Sequence, residues 1–149
     1  GSGELWEDAK KLAKDLHIDN HVEFLGVKKP QEIAHLLQKA DIFVQHSMID
    51  IVTGDSEGTP NTILEAACSG LPVVSTFHAG IKEAVENEKT GFLVEEGDWE
   101  SMADKMIFLL KNPAIAEQMG RTGRQKMQQE YHLESQIKKL HQLIIDSIS

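Results

Sequence analysis

Two glutamates, Glu57 and Glu65, stand with seven residues between them in the stretch EGTPNTILE. Glu57 lies among turn formers, while Glu65 lies inside an apolar run. If one helix carried both, eight positions would set them about 12 Å apart along the axis and about 80° apart around it. Gly58 and Pro60 argue against that helix reaching Glu57, which is expected on a loop. The pair is therefore poorly placed for glycoside hydrolysis, in which two carboxyl groups about 5–9.5 Å apart flank one bond. It suits two acceptors gripping separate parts of an extended, hydroxyl-rich ligand. Between them the sequence predicts a helix start, with Thr59 as N-cap, Pro60 in the first position and free amides at Asn61 and Thr62. Such a start binds a phosphate group. The order carboxylate, amides, carboxylate matches sugar, diphosphate and ribose. The plain alternative is a solvated loop glutamate followed by a surface helix glutamate.

The elements around these residues alternate. Residues 4–18 carry apolar side chains at helical spacing, and residues 20–26 predict a short strand ended by Gly26. A helix from Pro30, a strand at 41–47 and a loop of about a dozen residues precede the helix at 60–69. A strand follows at 71–76, then a short helix, a strand plus turn over 91–98 and a helical remainder from Trp99. This α/β alternation predicts a Rossmann-like sheet of four parallel strands flanked by helices. Ligands of such sheets bind beyond the carboxyl ends of the strands. Three loops leave strands there, at 26–29, 48–59 and 77–80, and the second holds Glu57.

The 149 residues fit one domain, 1–149, with a sizeable core and a C-terminal helix at about 132–148. A net charge of −9 argues against nucleic acid as a partner, because phosphate backbones need a basic surface. The single cysteine excludes an internal disulfide. Cys68, among Ala66, Ala67 and Gly70, is expected to be a buried, inert thiol. No signal peptide and no apolar run of about 20 residues is present, so a cytoplasmic location is expected. No Asp-x-Asp occurs, and His17, His21, His35, His132 and His141 are scattered without metal spacing. Neither a metal nor a cofactor is expected. His46, ending a strand, and His78, opening a loop on the ligand side, could each donate to a phosphate or sugar. Gly1-x-Gly3 without a preceding strand supports no dinucleotide site.

The stretch EGTPNTILEAACSGLPVVST, followed by HAGIKEAVENEKTGFLVEEGD, resembles the donor-binding half of retaining glycosyltransferases of the GT-B fold, family four (group 1). These share two glutamates at this spacing, a small-residue helix, Gly-x-Pro-Val-Val, a glycine-containing loop with a Glu, and Thr-Gly-x-Leu-Val. The segment VEFLGVKKPQEIAHLLQKADIFVQHS and the helix WESMADKMIFLLKNP extend the likeness over about residues 1–130. The resemblance implies a donor domain for a nucleotide diphosphate sugar. Glu57 would contact the sugar hydroxyls and the transition state, and Glu65 the ribose. The backbone of Gly58, Thr59, Pro60, Asn61 and Thr62 would approach sugar and phosphate. His78, Ala79 and Gly80 would lie near sugar or diphosphate, and Val27 and Lys28 near the base.

Against the family pattern, an earlier strand and helix bearing an Arg and a Lys, and the N-terminal acceptor domain, do not occur in this sequence. An N-terminally truncated donor domain, inactive alone, is therefore expected. Its parent would use a glycan or glycolipid acceptor, in some members at a membrane surface. A nucleotide-sugar epimerase of the same fold and a non-catalytic interaction module are the alternatives. Leu133, Ile137, Leu140, Ile144 and Ile148 form one apolar stripe, and a homodimer burying it or an open sheet edge is expected.

Overall fold

The computed structural model describes residues 3, 5–48 and 60–131. Glu57, Gly58, Thr59 and the apolar stripe of the tail lie outside the described residues. The chain forms two compact units, Gly1–Leu36 and Leu37–Ser149.

In the first unit, helix α1 spans Trp6–Asp15. It ends in a Schellman arrangement: the His17 amide bonds the Lys14 carbonyl at 2.9 Å and the Ile18 amide bonds Ala13 at 2.9 Å. His17 takes the left-handed conformation (φ 56°) that glycine usually fills there. Trp6 meets Phe24 edge to face at 5.5 Å, with the Lys10 ammonium over its ring. A short 3-10 turn covers Asp19–His21. The expected strand at 20–26 does not form. Val22 is extended, but a strand without a hydrogen-bonded neighbour makes no ladder, and the described sheet has three strands rather than four. Helix α2, Pro30–Leu37, begins with proline as expected, and the Glu32 carboxylate reaches back to accept from the Lys29 amide at 3.0 Å.

The second unit holds the sheet. Strands β1 (Phe43–Gln45), β2 (Val73–Thr76) and β3 (Gly91–Val94) run parallel in that order. Phe43 pairs with Val73, and Val73 with Gly91. Helix α3 (Asn61–Cys68) joins β1 to β2, and α4 (Ile81–Ala84) joins β2 to β3. Helices α5 (Trp99–Lys111) and α6 (Pro113–Glu130) follow. Every residue of β2 and β3 is buried, the signature of strands covered on both faces. Val73 and Leu93 pack with Ile63 and Ala66 of α3 and with Ile81 and Ala84 of α4. Val74, Phe92 and Val94 pack with Met102 and Leu109 of α5 and with Met119 of α6. β1 is less buried than its apolar run predicts, because it is an edge strand among the described residues and Val44 is exposed.

Two close approaches require glycine. A Cβ on Gly91 would lie 2.0 Å from the Val73 carbonyl oxygen, and one on Gly120 of α6 would lie 1.9 Å from that of Gly70. Both contacts sit toward the amino ends of β2 and β3. Cys68 ends α3 exposed to solvent, contrary to the expectation of a buried thiol. The buried face of that helix consists of Ile63, Ala66 and Ala67, and position 68 turns away from it.

Candidate functional site

The carboxyl ends of the three strands are polar and cross-linked. Ser75 donates to the Gln45 carbonyl at 2.6 Å. The Thr76 hydroxyl donates to the Ser47 carbonyl at 2.7 Å and accepts from the Ser47 amide at 3.2 Å, which carries the β1–β2 connection past the last ladder bond. The first turn of α3 is tied to the same edge, because the Thr62 hydroxyl donates to the Gln45 side-chain carbonyl at 2.7 Å. The Gln45 amide in turn reaches the Ser47 hydroxyl at 3.3 Å. Helix α3 therefore begins against the end of β1.

Pro60 is the N-cap of α3, with extended ψ of 129°, so the helix starts one residue later than the sequence predicts. The Pro60 carbonyl accepts from the Ile63 amide at 3.0 Å. Asn61 and Thr62 are exposed in the first turn, where amides have no carbonyl one turn back within the helix. Their partial positive charge suits an anionic group. Glu65 is exposed one turn on, beside the buried Ile63 and Ala66.

After β2 the chain turns sharply. The His78 amide bonds the Thr76 carbonyl at 2.8 Å and the Ile81 amide bonds the His78 carbonyl at 2.9 Å. Ala79 is left-handed (φ 37°), a conformation that strains a residue with a Cβ. Ala79 is exposed and Gly80 half-buried. His78 is 2% exposed. Its Nδ1 lies 2.7 Å from Glu96 Oε1, and its Nε2 is buried with no hydrogen-bond partner among the described residues. An unmet buried polar atom costs about 1–3 kcal/mol.

The turn after β3 is bracketed by both histidines of this edge. Glu96 pairs with His78, and the next amide, that of Gly97, donates to His46 Nε2 at 3.0 Å. His46 is exposed. Gly97 is left-handed (φ 83°), and Asp98 then caps α5 by accepting from the Ser101 amide at 3.0 Å. Hydrogen bonding from the Ser101 side chain, and then from its amide, holds the Asp98 carboxyl below its usual range.

Of the residues expected from sequence, Pro60, Asn61, Thr62, Glu65, His78, Ala79 and Gly80 all fall in the second unit, on α3 or on the loop after β2. Val27, exposed, and Lys28, 3.8 Å from Glu32, belong to the first unit. Sequence reasoning missed Gln45, Ser47, Thr76, Glu96 and Gly97. The available signal was their position: each lies at or just after a strand end. Among the described residues no three His, Cys, Asp or Glu side chains gather as a metal-ligand set, and no helix is long and apolar enough to cross a membrane.

Residues 1–126 match the family described as Glycosyl transferases group 1. The chain is 34% identical over 132 residues to the amylovoran biosynthesis glycosyltransferase AmsK of Erwinia amylovora, covering 89% of this chain and 32% of that protein. Its fold superposes on Anabaena HepE in complex with UDP-glucose with a TM-score of 0.79 at 20% identity, covering 94% of this chain and 36% of that one. It also matches the C-terminal domain of the group 1 glycosyltransferase LpcC from Francisella tularensis, with a TM-score of 0.73 at 22% identity, over 85% of this chain and 62% of that one. The chain spans about a third of the length of the curated relative. Among the described residues three parallel strands flanked by helices form the Rossmann-like sheet of GT-B enzymes, and the chain belongs to the group 1 glycosyltransferases.

Proposed function

We propose that this chain is the donor-binding part of a retaining glycosyltransferase that moves a sugar from a nucleotide diphosphate sugar to a hydroxyl of a glycan or glycolipid. The observation that carries this reading is the junction of α3 with the sheet. Thr62 is bonded to Gln45, so the first-turn amides of α3 lie against the end of β1, and the exposed Glu65 follows three residues on in the same helix. The leaving diphosphate gains negative charge as the glycosidic bond breaks, and helix-start amides are preorganised donors for such charge.

Each residue then has a part. The backbone of Gly58 through Thr62 approaches sugar and phosphate, and Glu65 accepts from the ribose hydroxyls. Glu57 holds sugar hydroxyls and gains strength as the anomeric carbon becomes positive. The turn His78-Ala79-Gly80 faces sugar or diphosphate, and Val27 and Lys28 serve the base. The donor is bound without a metal, and acceptor binding belongs to the remainder of the parent enzyme.

Calorimetry with UDP and GDP tests the assignment. Glu65→Ala should weaken nucleoside diphosphate binding by about 1–3 kcal/mol, the scale for hydrogen bonds to a charged group, while thermal stability stays level because the side chain is exposed. An unchanged dissociation constant removes Glu65 from the ribose contact. In the parent enzyme Glu57→Gln should lower kcat more than donor affinity. A raised KM at normal kcat would make Glu57 a binding residue only.

A further inference from the structure

The buried His78 nitrogen calls for a ligand of particular chemistry. A carboxylate can only accept, so the 2.7 Å contact with Glu96 puts the proton of the ring on Nδ1. In the neutral imidazole Nε2 then carries a bare lone pair, because the bond at one ring nitrogen fixes the state of the other. The ring cannot easily turn to change this. It is 2% exposed, and the backbone on both sides is held by the Thr76 and Ile81 bonds. A bare nitrogen repels a phosphate oxygen, which is also an acceptor, and pairs with a hydroxyl. The polar edge thus offers two kinds of group: amides at the start of α3, which suit anionic oxygens, and one orphaned acceptor at the end of the central strand, which suits O–H.

We propose that His78 is a specificity residue whose Nε2 accepts a hydrogen bond from a hydroxyl of the donor's sugar, and that Glu96 is the positioning residue that fixes the tautomer. This rests on the nucleotide-sugar reading above. Nε2 is closed to solvent in the free chain, so the contact forms with a local rearrangement as the sugar enters.

The test compares paired ligands on the 149-residue chain. Calorimetry is run with UDP against UDP-glucose and with GDP against GDP-mannose. His78→Ala should weaken the sugar-bearing member of the preferred pair about 10-fold more than the bare diphosphate, the size of one good hydrogen bond. Equal loss for both members overturns the proposal and makes His78 a phosphate contact or a structural residue. If the unaltered chain binds neither member of either pair, the donor reading itself has failed, and this proposal falls with it.

Nitrogen-15 NMR of the histidine side chains gives a second readout that needs no ligand and starts from the unaltered chain. In the unaltered chain His78 should show a protonated Nδ1 and a bare Nε2. Glu96→Gln, which keeps an acceptor oxygen, should preserve that signature and the sugar-dependent difference, and Glu96→Leu should lose both. A protonated Nε2 in the unaltered free chain, or a Leu variant indistinguishable from the Gln variant, overturns the role given to Glu96.

Discussion

The two ends of the sheet are built on different principles. Toward the amino ends of the strands backbone meets backbone, with Gly91 against Val73 and Gly120 against Gly70, and there is no room for a methyl group. A cavity of about 490 Å³ nearby is lined by Ile42, Leu71, Leu109 and Pro113 among others. At the carboxyl ends the contacts are side-chain hydrogen bonds, one alanine is left-handed, and one buried nitrogen has no partner among the described residues. At the first end the two backbone contacts are fixed by shape. The second is held by polar groups with bonding capacity left over, which is how ligand sites are built when the rest of the domain supplies the rigidity.

The sharpest challenge to that contrast is Gly120→Ala. The new Cβ would press on the Gly70 carbonyl, and overpacking against backbone should cost about 3 kcal/mol or more, read as a lowered denaturation midpoint. A midpoint near that of the parent chain would show that the contact with Gly70 can yield. Thr76→Val comes next. It keeps the shape but leaves the Ser47 amide and carbonyl short of partners, at a cost of about 1–2 kcal/mol by urea titration. Ala79→Gly should act in the opposite direction. Relief of the left-handed strain should raise stability by up to about 1 kcal/mol, and a loss instead would mean that the turn is not strained.

Glu86 is the smallest and subtlest case. It bridges Lys89 at 3.1 Å and Lys126 of α6 at 3.3 Å. The hydrogen bond from Lys89, then that from Lys126, hold its carboxyl below the ordinary value of 4.5. A depressed carboxyl contributes stability that is fully present above pH 4.5 and is lost as pH falls through the lower, folded-state value. Glu86→Gln should therefore lower stability at pH 7 by less than about 1 kcal/mol, because the pair is half exposed, and the gap from the parent chain should close in acid. A difference independent of pH would assign the effect to packing.

The α/β alternation was legible because short segments rich in β-branched and apolar residues (LPVVST and GFLV) stand between helices with clear period. The strand expected at 20–26 was not, because a ladder needs a neighbour that local sequence cannot supply. Cys68 was misjudged for a related reason. Small residues announce a tight helix, but which face a single position takes depends on register, and one residue past Ala67 the chain has turned outward. At the site, Pro60, Asn61, Thr62 and Glu65 could be placed by helix-start chemistry. The Glu96–His78 pair could not, since the two residues are 18 apart and meet only because β2 and β3 are adjacent and parallel. Polar residues just past strand ends are where such meetings occur, and that rule would have found them.

The solvent-facing thiol of Cys68 has a practical side. It is the only cysteine in the chain, and it ends the helix whose opposite tip carries the proposed phosphate contacts. An eight-residue helix is about 12 Å long, so a maleimide dye attached there would be anchored about one helix length from the first-turn amides. The molecule thus carries its own single attachment point for a fluorescent reporter, and arrival of a nucleotide at one end of α3 could be followed as an emission change at the other.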